Sequence, residues 1–236
     1  MLKTIHLYDE EFKENNYNGN ENAQDYVIKE GKNNILISSP HCFKHFRNGN
    51  IKVNEILTGA IGSYLHDKGD THFSYVSKFL EKDANWDDDS DYRNAVKEYI
   101  IANNISYLID LHGMKENKYD LIIGINDMKN INNSIKLFNK IREFWKNTSF
   151  NVVFDYNFKA SKKNNICRVM NEHTKVYAMQ FEISEKVRLD EMLICNFIED
   201  MLSFIEMLSR LKIISSIQKN TKYSSSLPLN YCLISN

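Results

Sequence analysis

The pattern of apolar and polar positions along the chain predicts short strands that alternate with amphipathic helices. Apolar runs typical of strands cover residues 35–38, 72–79, 105–111, 121–124, 151–154 and 176–183. The spacing typical of a helix with one buried face, an apolar residue at every third or fourth position, covers residues 54–68, 92–103, 131–145, 167–173 and 189–211. This succession predicts an α/β fold, a single domain with a central mixed, mostly parallel sheet flanked by helices.

The two ends of the chain differ from its middle. Residues 1–25 are polar and rich in Asn, so we expect an irregular segment with a short strand at residues 4–8. Two apolar runs on either side of residues 30–34 predict a hairpin or strand pair. Residues 215–236 are polar and Ser-rich and predict a loose tail, so the predicted domain spans residues 1–214.

Composition narrows the class of protein. The 236 residues are 42% hydrophobic, which is enough for a real core, and the net charge of -1 argues against a nucleic-acid partner. No apolar run reaches the roughly 18 residues of a membrane-spanning helix, and none resembles a secretory leader. Four cysteines without CxxC spacing are typical of free thiols in a reducing compartment. We therefore expect a cytoplasmic protein with neither nucleic acid nor membrane as partner.

Three polar clusters follow or interrupt the apolar strands. They are Ser38-Ser39-Pro40-His41, Asp110-Leu111-His112-Gly113 and Gln180-Phe181-Glu182. Open α/β sheets bind their ligands at the carboxyl ends of the strands. Three such clusters at one edge of a sheet therefore predict a functional site there.

The residue types in these clusters suit a metal-dependent hydrolase. His41 and His112, on neighbouring strand ends, and Glu55, at the start of the next predicted helix, form a set of donors that zinc prefers. Asp110 lies two residues before His112, on the same side of a strand, and can hold the far nitrogen of that imidazole. Glu182 can act as general base toward a metal-bound water molecule.

Each of these residues also has a structural interpretation. His41 can be a surface or capping residue, Asp110 can cap a loop, and the Glu182 side chain can reach solvent from an edge strand. Taken together, the clusters favour a functional site over three unrelated polar positions.

Several further residues are candidates for binding the substrate. Arg47 can clamp a substrate carboxylate or stabilise an oxyanion, with a solvated loop arginine as the equal alternative. His45 can replace His41 as ligand, although its loop position favours a pocket-lining role. Arg168 and Arg188 flank the Glu182 strand and are candidates for carboxylate recognition, with an ordinary surface position as the alternative.

Five segments together resemble a known family. They are SSPHCFKHFRNG, the Glu55 that begins a predicted helix, LIDLHG, YDLIIG and AMQFEIS. In this order and spacing, over roughly residues 35–190, the chain resembles the N-formylglutamate amidohydrolase-like family of the zinc-carboxypeptidase and aspartoacylase-like group. The resemblance implies a zinc-exopeptidase or phosphorylase/hydrolase-like fold, with His41, Glu55 and His112 as zinc ligands and Glu182 as the catalytic carboxylate.

The resemblance and the polar clusters lead to one functional expectation and two alternatives. We expect a zinc-dependent amidohydrolase, with one zinc ion per chain, that cleaves a small N-acyl amino acid such as N-formylglutamate. One alternative is a carboxypeptidase-like or poly-γ-glutamate hydrolase with the same metal site. The other is a binding homologue that keeps the fold without turnover.

Overall fold

The computed structural model describes residues 1–115 and 118–211, and its strands and helices alternate along the chain. The strands are β1 (Tyr26–Lys29), β2 (Ile35–Ser39), β3 (His45–Arg47), β4 (Asn50–Lys52), β5 (His72–Val76), β6 (Tyr107–Met114), β7 (Leu121–Gly124), β8 (Val152–Phe154) and β9 (Tyr177–Ser184). The helices are α1 (Leu2–Phe12), α2 (Thr58–Gly69), α3 (Asp91–Ala102), α4 (Ile135–Lys146), α5 (Ile166–Thr174), α6 (Glu185–Leu189) and α7 (Glu191–Arg210).

Seven of the described strands form one mixed sheet in the order β1-β5-β2-β6-β9-β7-β8. The central strands β5, β2, β6 and β9 run parallel to one another. Strands β1 and β7 run antiparallel to their neighbours β5 and β9, and β8 is parallel to β7. Strands β3 and β4 form a separate hairpin. The predicted single-domain α/β fold with a mostly parallel, helix-flanked sheet is confirmed.

Helices cover both faces of the sheet. Buried residues of α1, α2, α4 and α7 pack on one face, and those of α3 and α5 pack on the other. Because successive side chains of a strand point to opposite faces, Ile109 and Leu111 of β6 join the first core and Leu108 joins the second. Asp110 and His112 alternate with Ile109 and Leu111, so they lie on the face covered by α3 and α5.

The predicted irregular start of the chain, with a strand at residues 4–8, is wrong. This segment forms α1, whose buried residues Ile5, Asp9 and Phe12 recur at helical spacing. The aromatic ring of Phe12 packs so closely on α2 that a Cβ atom on Gly59 would lie 2.6 Å from it. The helix is stabilised by this tertiary contact, which its polar, Asn-rich surroundings in the sequence do not reveal.

The predicted pairing of the first two strands is also wrong, although both strands exist. Strand β5 lies between them, antiparallel to β1 and parallel to β2. Instead of closing a hairpin, the backbone N–H groups of Lys32 and Asn33 donate to the carbonyl oxygen of Asp70, just after α2. The buried residues of β5 therefore gain a neighbouring strand on each side.

Two further boundaries bear on the site. Helix α2 begins at Thr58, so Glu55 lies in the loop before it rather than in its first turn. The predicted tail, residues 215–236, lies outside the described residues. In the part of the chain that the structure describes, no helix is both long enough and apolar enough to cross a membrane.

Candidate metal centre

Parallel pairing brings the polar clusters of the sequence to one edge of the sheet. His41 lies two residues after the end of β2, while His112 and Glu182 lie inside β6 and β9. The register of β6 and β9 sets His112 opposite Glu182. Partners in register point to the same face, so both side chains lie on the face covered by α3 and α5.

The carboxylate of Glu55 lies between two imidazoles. Its Oε1 is 3.0 Å from Nδ1 of His41, and its Oε2 is 3.1 Å from Nδ1 of His112. The backbone N–H of Gly113 also donates to Oε2, at 2.9 Å. The loop that carries Glu55 is held by its own backbone N–H, which donates to the carbonyl oxygen of His41 at 2.8 Å. The ligand atoms of His41, Glu55 and His112 thus lie within 4.8 Å of one another.

A buried aspartate holds the far nitrogen of each imidazole. Nε2 of His41 is 3.0 Å from Oδ1 of Asp83, and Nε2 of His112 is 2.9 Å from Oδ2 of Asp110. Both carboxylates are almost fully buried. Such a carboxylate favours a proton on Nε2 and leaves Nδ1 as the ring atom that faces Glu55 and can bind a metal ion, which is the arrangement found around histidines that bind zinc. Two imidazoles and one carboxylate also match a catalytic zinc site with a fourth position for water. The residues therefore fit a divalent metal ion.

A second grouping, His41 with His45 and Asp83, fits a metal ion less well. Its ligand atoms also lie within 4.8 Å of one another. However, the rings of His41 and His45 are stacked, 4.2 Å apart and 12° from parallel, so their in-plane lone pairs run side by side instead of converging. The guanidinium of Arg47 already pairs with Asp83 through Nε. The positive charge of Arg47 thus already neutralises the Asp83 carboxylate that a metal ion would need as a ligand.

The neighbouring carboxylates control the ionisation of both imidazoles in the metal-free protein. Burial alone would lower the pKa of His41, but the charges of Glu55 and Asp83 outweigh it and raise this pKa to about 9. Burial likewise acts against the Asp110 and Glu55 charges at His112, and the net effect holds its pKa well above the usual value. Conversely, the imidazoles overcome the effect of burial on Glu55 and hold its pKa well below the usual range. Each Nδ1 therefore faces an ionised carboxylate that a cation can share.

Glu182 has the opposite electrostatic character. Its side chain is buried, and this burial raises its pKa to about 7 although the charge of His112 acts in the other direction. The side-chain amide of Gln180 donates to its Oε1 at 2.6 Å. A carboxyl group with a pKa near neutrality can both accept and return a proton.

Of the substrate-binding candidates, Arg47 and His45 contact Asp83 beside His41, whereas the side chain of Arg168 pairs away from the centre. Arg47 pairs with Asp83 and lies 5.7 Å from the centre of the exposed Trp86 ring. His45, in β3, is buried against His41, with its Nε2 3.4 Å from Oδ2 of Asp83. Arg168, on the surface of α5, binds Glu172 at 2.8 Å and the carbonyl oxygen of Ser161 at 2.9 Å.

Arg188 is held by the main chain. Its guanidinium donates to the carbonyl oxygens of Ile183, Ile56 and Met114, at the ends of β9, the Glu55 loop and β6. It packs on Gly113, where a Cβ atom would lie 2.7 Å from the Arg188 Cζ. These contacts connect the three segments that carry Glu182, Glu55 and His112, and they engage all three nitrogen atoms of the guanidinium.

Two residues of the centre have no role in the sequence-based predictions. Asp83 contacts His41, and the Asn85 amide nitrogen lies 3.1 Å from Nε2 of His112 while its oxygen accepts the backbone N–H of Ile166. Both lie in the loop after β5, beside β2 in the sheet. The acidic composition of residues 83–91 is typical of a solvated loop and conceals them. The strand order would have revealed them, because β5 is parallel to its neighbour β2 and the loops after the two strands therefore lie side by side.

Comparison with known proteins identifies the fold. No family profile matches the chain, and no curated protein matches it in sequence. Gene product Atu2144 from Agrobacterium tumefaciens is similar in structure, with a TM-score of 0.55 and 11% identity over 79% of this chain and 95% of that one. A Zn-dependent exopeptidase from Parabacteroides distasonis gives a TM-score of 0.49 and 6% identity over 87% and 97%. Pyroglutamyl peptidase I from Bacillus amyloliquefaciens gives a TM-score of 0.38 and 12% identity over 76% of this chain and 94% of that one. At 11% identity the similarity to Atu2144 concerns the fold alone, and with TM-scores under 0.5 the other two structures carry no argument.

Proposed function

We propose that this chain is a zinc-dependent amidohydrolase that cleaves the amide bond of a small N-acyl amino acid. The observation that carries the proposal is the Glu55 carboxylate between the Nδ1 atoms of His41 and His112. Glu182 lies opposite His112 in the sheet and supports a general-base role beside this centre. The resemblance of the strand-end segments to the N-formylglutamate amidohydrolase-like family supports the substrate class.

Two buried aspartates hold the imidazoles of the centre in the orientation that metal binding requires. Asp83 and Asp110 hold His41 and His112 with Nδ1 directed at Glu55, so no ring has to turn when a metal ion binds. A divalent ion held by His41, Glu55 and His112 would act as a Lewis acid, polarising a carbonyl oxygen and lowering the pKa of water. Burial of both imidazoles strengthens these interactions because it excludes bulk water.

Glu182 transfers the proton. In its ionised form the carboxylate accepts a proton from the attacking water, and the resulting carboxylic acid returns that proton to the leaving amine nitrogen. Its pKa of about 7, raised by burial, keeps both forms accessible near neutral pH. The products are a carboxylic acid and a free amine, and Glu182 returns to its initial ionised state.

Arg47 is our candidate for binding the substrate carboxylate. Its Nε is used for Asp83, while the terminal amino groups of the guanidinium are the donors we assign to the substrate. Its side chain is 28% exposed, so a small anion can approach it from solvent. Asp83 keeps this arginine beside His41, and a carboxylate bound there lies near the metal ligands.

The decisive experiment combines metal analysis with hydrolysis. We expect the purified protein to contain about one zinc per chain and to hydrolyse N-formyl-L-glutamate, and we expect chelation or His112→Ala to remove both metal and activity. If the protein instead cleaves C-terminal peptide bonds or poly-γ-glutamate, the proposed metal site stands and the proposed substrate is wrong. A zinc-replete protein that is inert on all three substrate classes would contradict a hydrolase and favour a binding protein.

A further inference from the structure

A line of buried amide side chains leads from the first turn of α5 to Glu182. Asn165, the N-cap residue of α5, accepts the backbone N–H of Arg168 through Oδ1 at 3.3 Å. Its Nδ2 donates to Oε1 of Gln180, and Nε2 of Gln180 donates to Oε1 of Glu182 at 2.6 Å. Asn165, Gln180 and Glu182 are 7%, 6% and 5% exposed, respectively, so water has little access to any of the three.

The backbone fixes the orientation of every group in this line. The backbone N–H of Arg168 can only donate, so the oxygen of Asn165 faces it and the amide nitrogen of Asn165 faces Gln180. Gln180 must then present its oxygen to Asn165 and its nitrogen to Glu182. A reversed Gln180 amide would set its oxygen against a carboxylate oxygen and its nitrogen against a donor. The N-terminus of α5 therefore determines which group meets Glu182.

The sheet places Gln180 and Glu182 beside a second pair of polar residues. Gln180 and Glu182 are two residues apart on β9 and point to the same face. On the neighbouring strand β6, they lie in register with Asp110 and His112. Asp110 holds a metal ligand in place, and Gln180 occupies the equivalent position relative to the general base. Each catalytic group thus has its supporting residue two positions earlier on the same strand.

We propose that Gln180, itself held by Asn165, is a positioning residue that orients the general base Glu182. Its amide occupies Oε1 and leaves Oε2 as the oxygen that accepts the proton. Gln180 stays neutral and exchanges no proton during the reaction. This inference rests on the role of Glu182 in the proposed function, although the hydrogen bonds themselves do not depend on any activity.

Two substitutions test the proposal with zinc-loaded protein and N-formyl-L-glutamate as substrate. Gln180→Met keeps the volume but removes the donor, and we expect kcat to fall about 10–100-fold with KM changed less than about threefold. Asn165→Asp keeps the N-cap but replaces the donor to Gln180 with an oxygen, so the Gln180 amide turns and kcat falls similarly. Asn171→Asp is the matched control, because Asn171 is buried in the same helix but donates to Asn132 and Val176. It should leave kcat unchanged.

A spectroscopic readout separates this inference from the proposed function. The side-chain amide of Gln180, assigned in ¹H–¹⁵N NMR spectra as the signal missing from Gln180→Met, should exchange slowly with solvent and shift in Glu182→Gln. If the protein hydrolyses the substrate and Gln180→Met retains the wild-type kcat, the positioning role is wrong and the hydrolase stands. If no substrate is cleaved, the hydrolase is wrong. A protected, Glu182-sensitive amide then supports the contact that orients Glu182, and a freely exchanging one overturns it.

Discussion

Asp83 lies 3.0 Å from Nε2 of His41, on the side of the imidazole opposite Glu55. The aspartate is fully buried and is paired with Arg47 as well. Burial alone would raise the pKa of Asp83, but the charges of His41 and Arg47 hold it well below the usual range. Asp83 is therefore ionised at neutral pH, and it fixes both the orientation of the His41 ring and the place of Arg47.

Asp83→Asn should weaken metal binding without preventing folding. The amide loses the negative charge that holds the proton on Nε2 of His41, and we expect zinc affinity to fall about 10–100-fold in a competition titration with a chelator dye. Asp89→Asn is a suitable control, since Asp89 belongs to the same acidic loop but pairs with Lys82 at the exposed surface. Equal zinc affinities of the two variants would contradict a role for Asp83 in the centre.

Glu182→Gln should separate metal binding from turnover. The amide cannot accept a proton from water, so kcat should fall about 10²–10⁴-fold while zinc content stays at the wild-type level. Steady-state kinetics with N-formyl-L-glutamate and metal analysis of the same sample measure the two effects. Glu185→Gln, an exposed position just beyond β9, provides the control. Wild-type turnover in Glu182→Gln would exclude Glu182 as the general base.

Zinc affinity should rise with pH. The neighbouring carboxylates raise the pKa of His41 to about 9, so at pH 7 a metal ion must displace a proton from this ring. Each displaced proton makes the apparent affinity up to about tenfold stronger per pH unit, until pH passes the pKa of the ring. Calorimetric titrations in buffers of different ionisation enthalpy count the released protons. In Asp83→Asn the rise should level off at lower pH, because one of the charges that raise this pKa is gone.

The same raised pKa predicts that the metal-free protein loses stability in alkaline solution. Folded His41 keeps a proton that the unfolded chain releases near its ordinary pKa of 6.5. The resulting stabilisation is complete below about pH 6.5 and disappears as pH rises through about 9. Urea unfolding of chelated protein at pH 6 and pH 9 measures this loss. The same measurement on His41→Gln is the control. If its free energy of unfolding falls between pH 6 and pH 9 by as much as that of the wild type, groups other than His41 cause the loss.

Gly113→Ala should disturb both stability and metal binding. The new Cβ would lie 2.7 Å from Cζ of Arg188, whose guanidinium would have to leave its three carbonyl partners. We expect a loss of about 1–3 kcal/mol in the free energy of unfolding, measured with urea. Zinc binding should also weaken, because a shift of the backbone at this position moves the N–H that donates to Glu55.

A pair of arginine substitutions checks this interpretation of Gly113. Arg188→Met should cost about 1–3 kcal/mol, because buried carbonyl groups lose their donors. Arg168→Met removes a half-exposed arginine that pairs with Glu172 and should cost less than about 1 kcal/mol. Similar losses of unfolding free energy in the two variants would contradict a special position for Arg188.

Local periodicity was sufficient for most of the architecture. The apolar run over residues 121–124 corresponds to β7, and the helical spacing over residues 167–173 lies within α5, because each pattern arises from burial on one element. It failed where a distant contact decides the structure. Helix α1 depends on the packing of Phe12 against Gly59, and the separation of β1 from β2 depends on β5, which lies some thirty residues further along the chain.

The candidate centre divides in the same way. His112 and Asp110, or Glu182 and Gln180, are two residues apart on one strand, so the sequence alone determines that each pair shares a face. Only the tertiary structure brings Asp83 to His41, because their loops follow different strands and meet only once β5 lies beside β2. Contacts between neighbours on one strand are fixed by local backbone geometry. Contacts between loops depend on which strands lie side by side in the folded sheet.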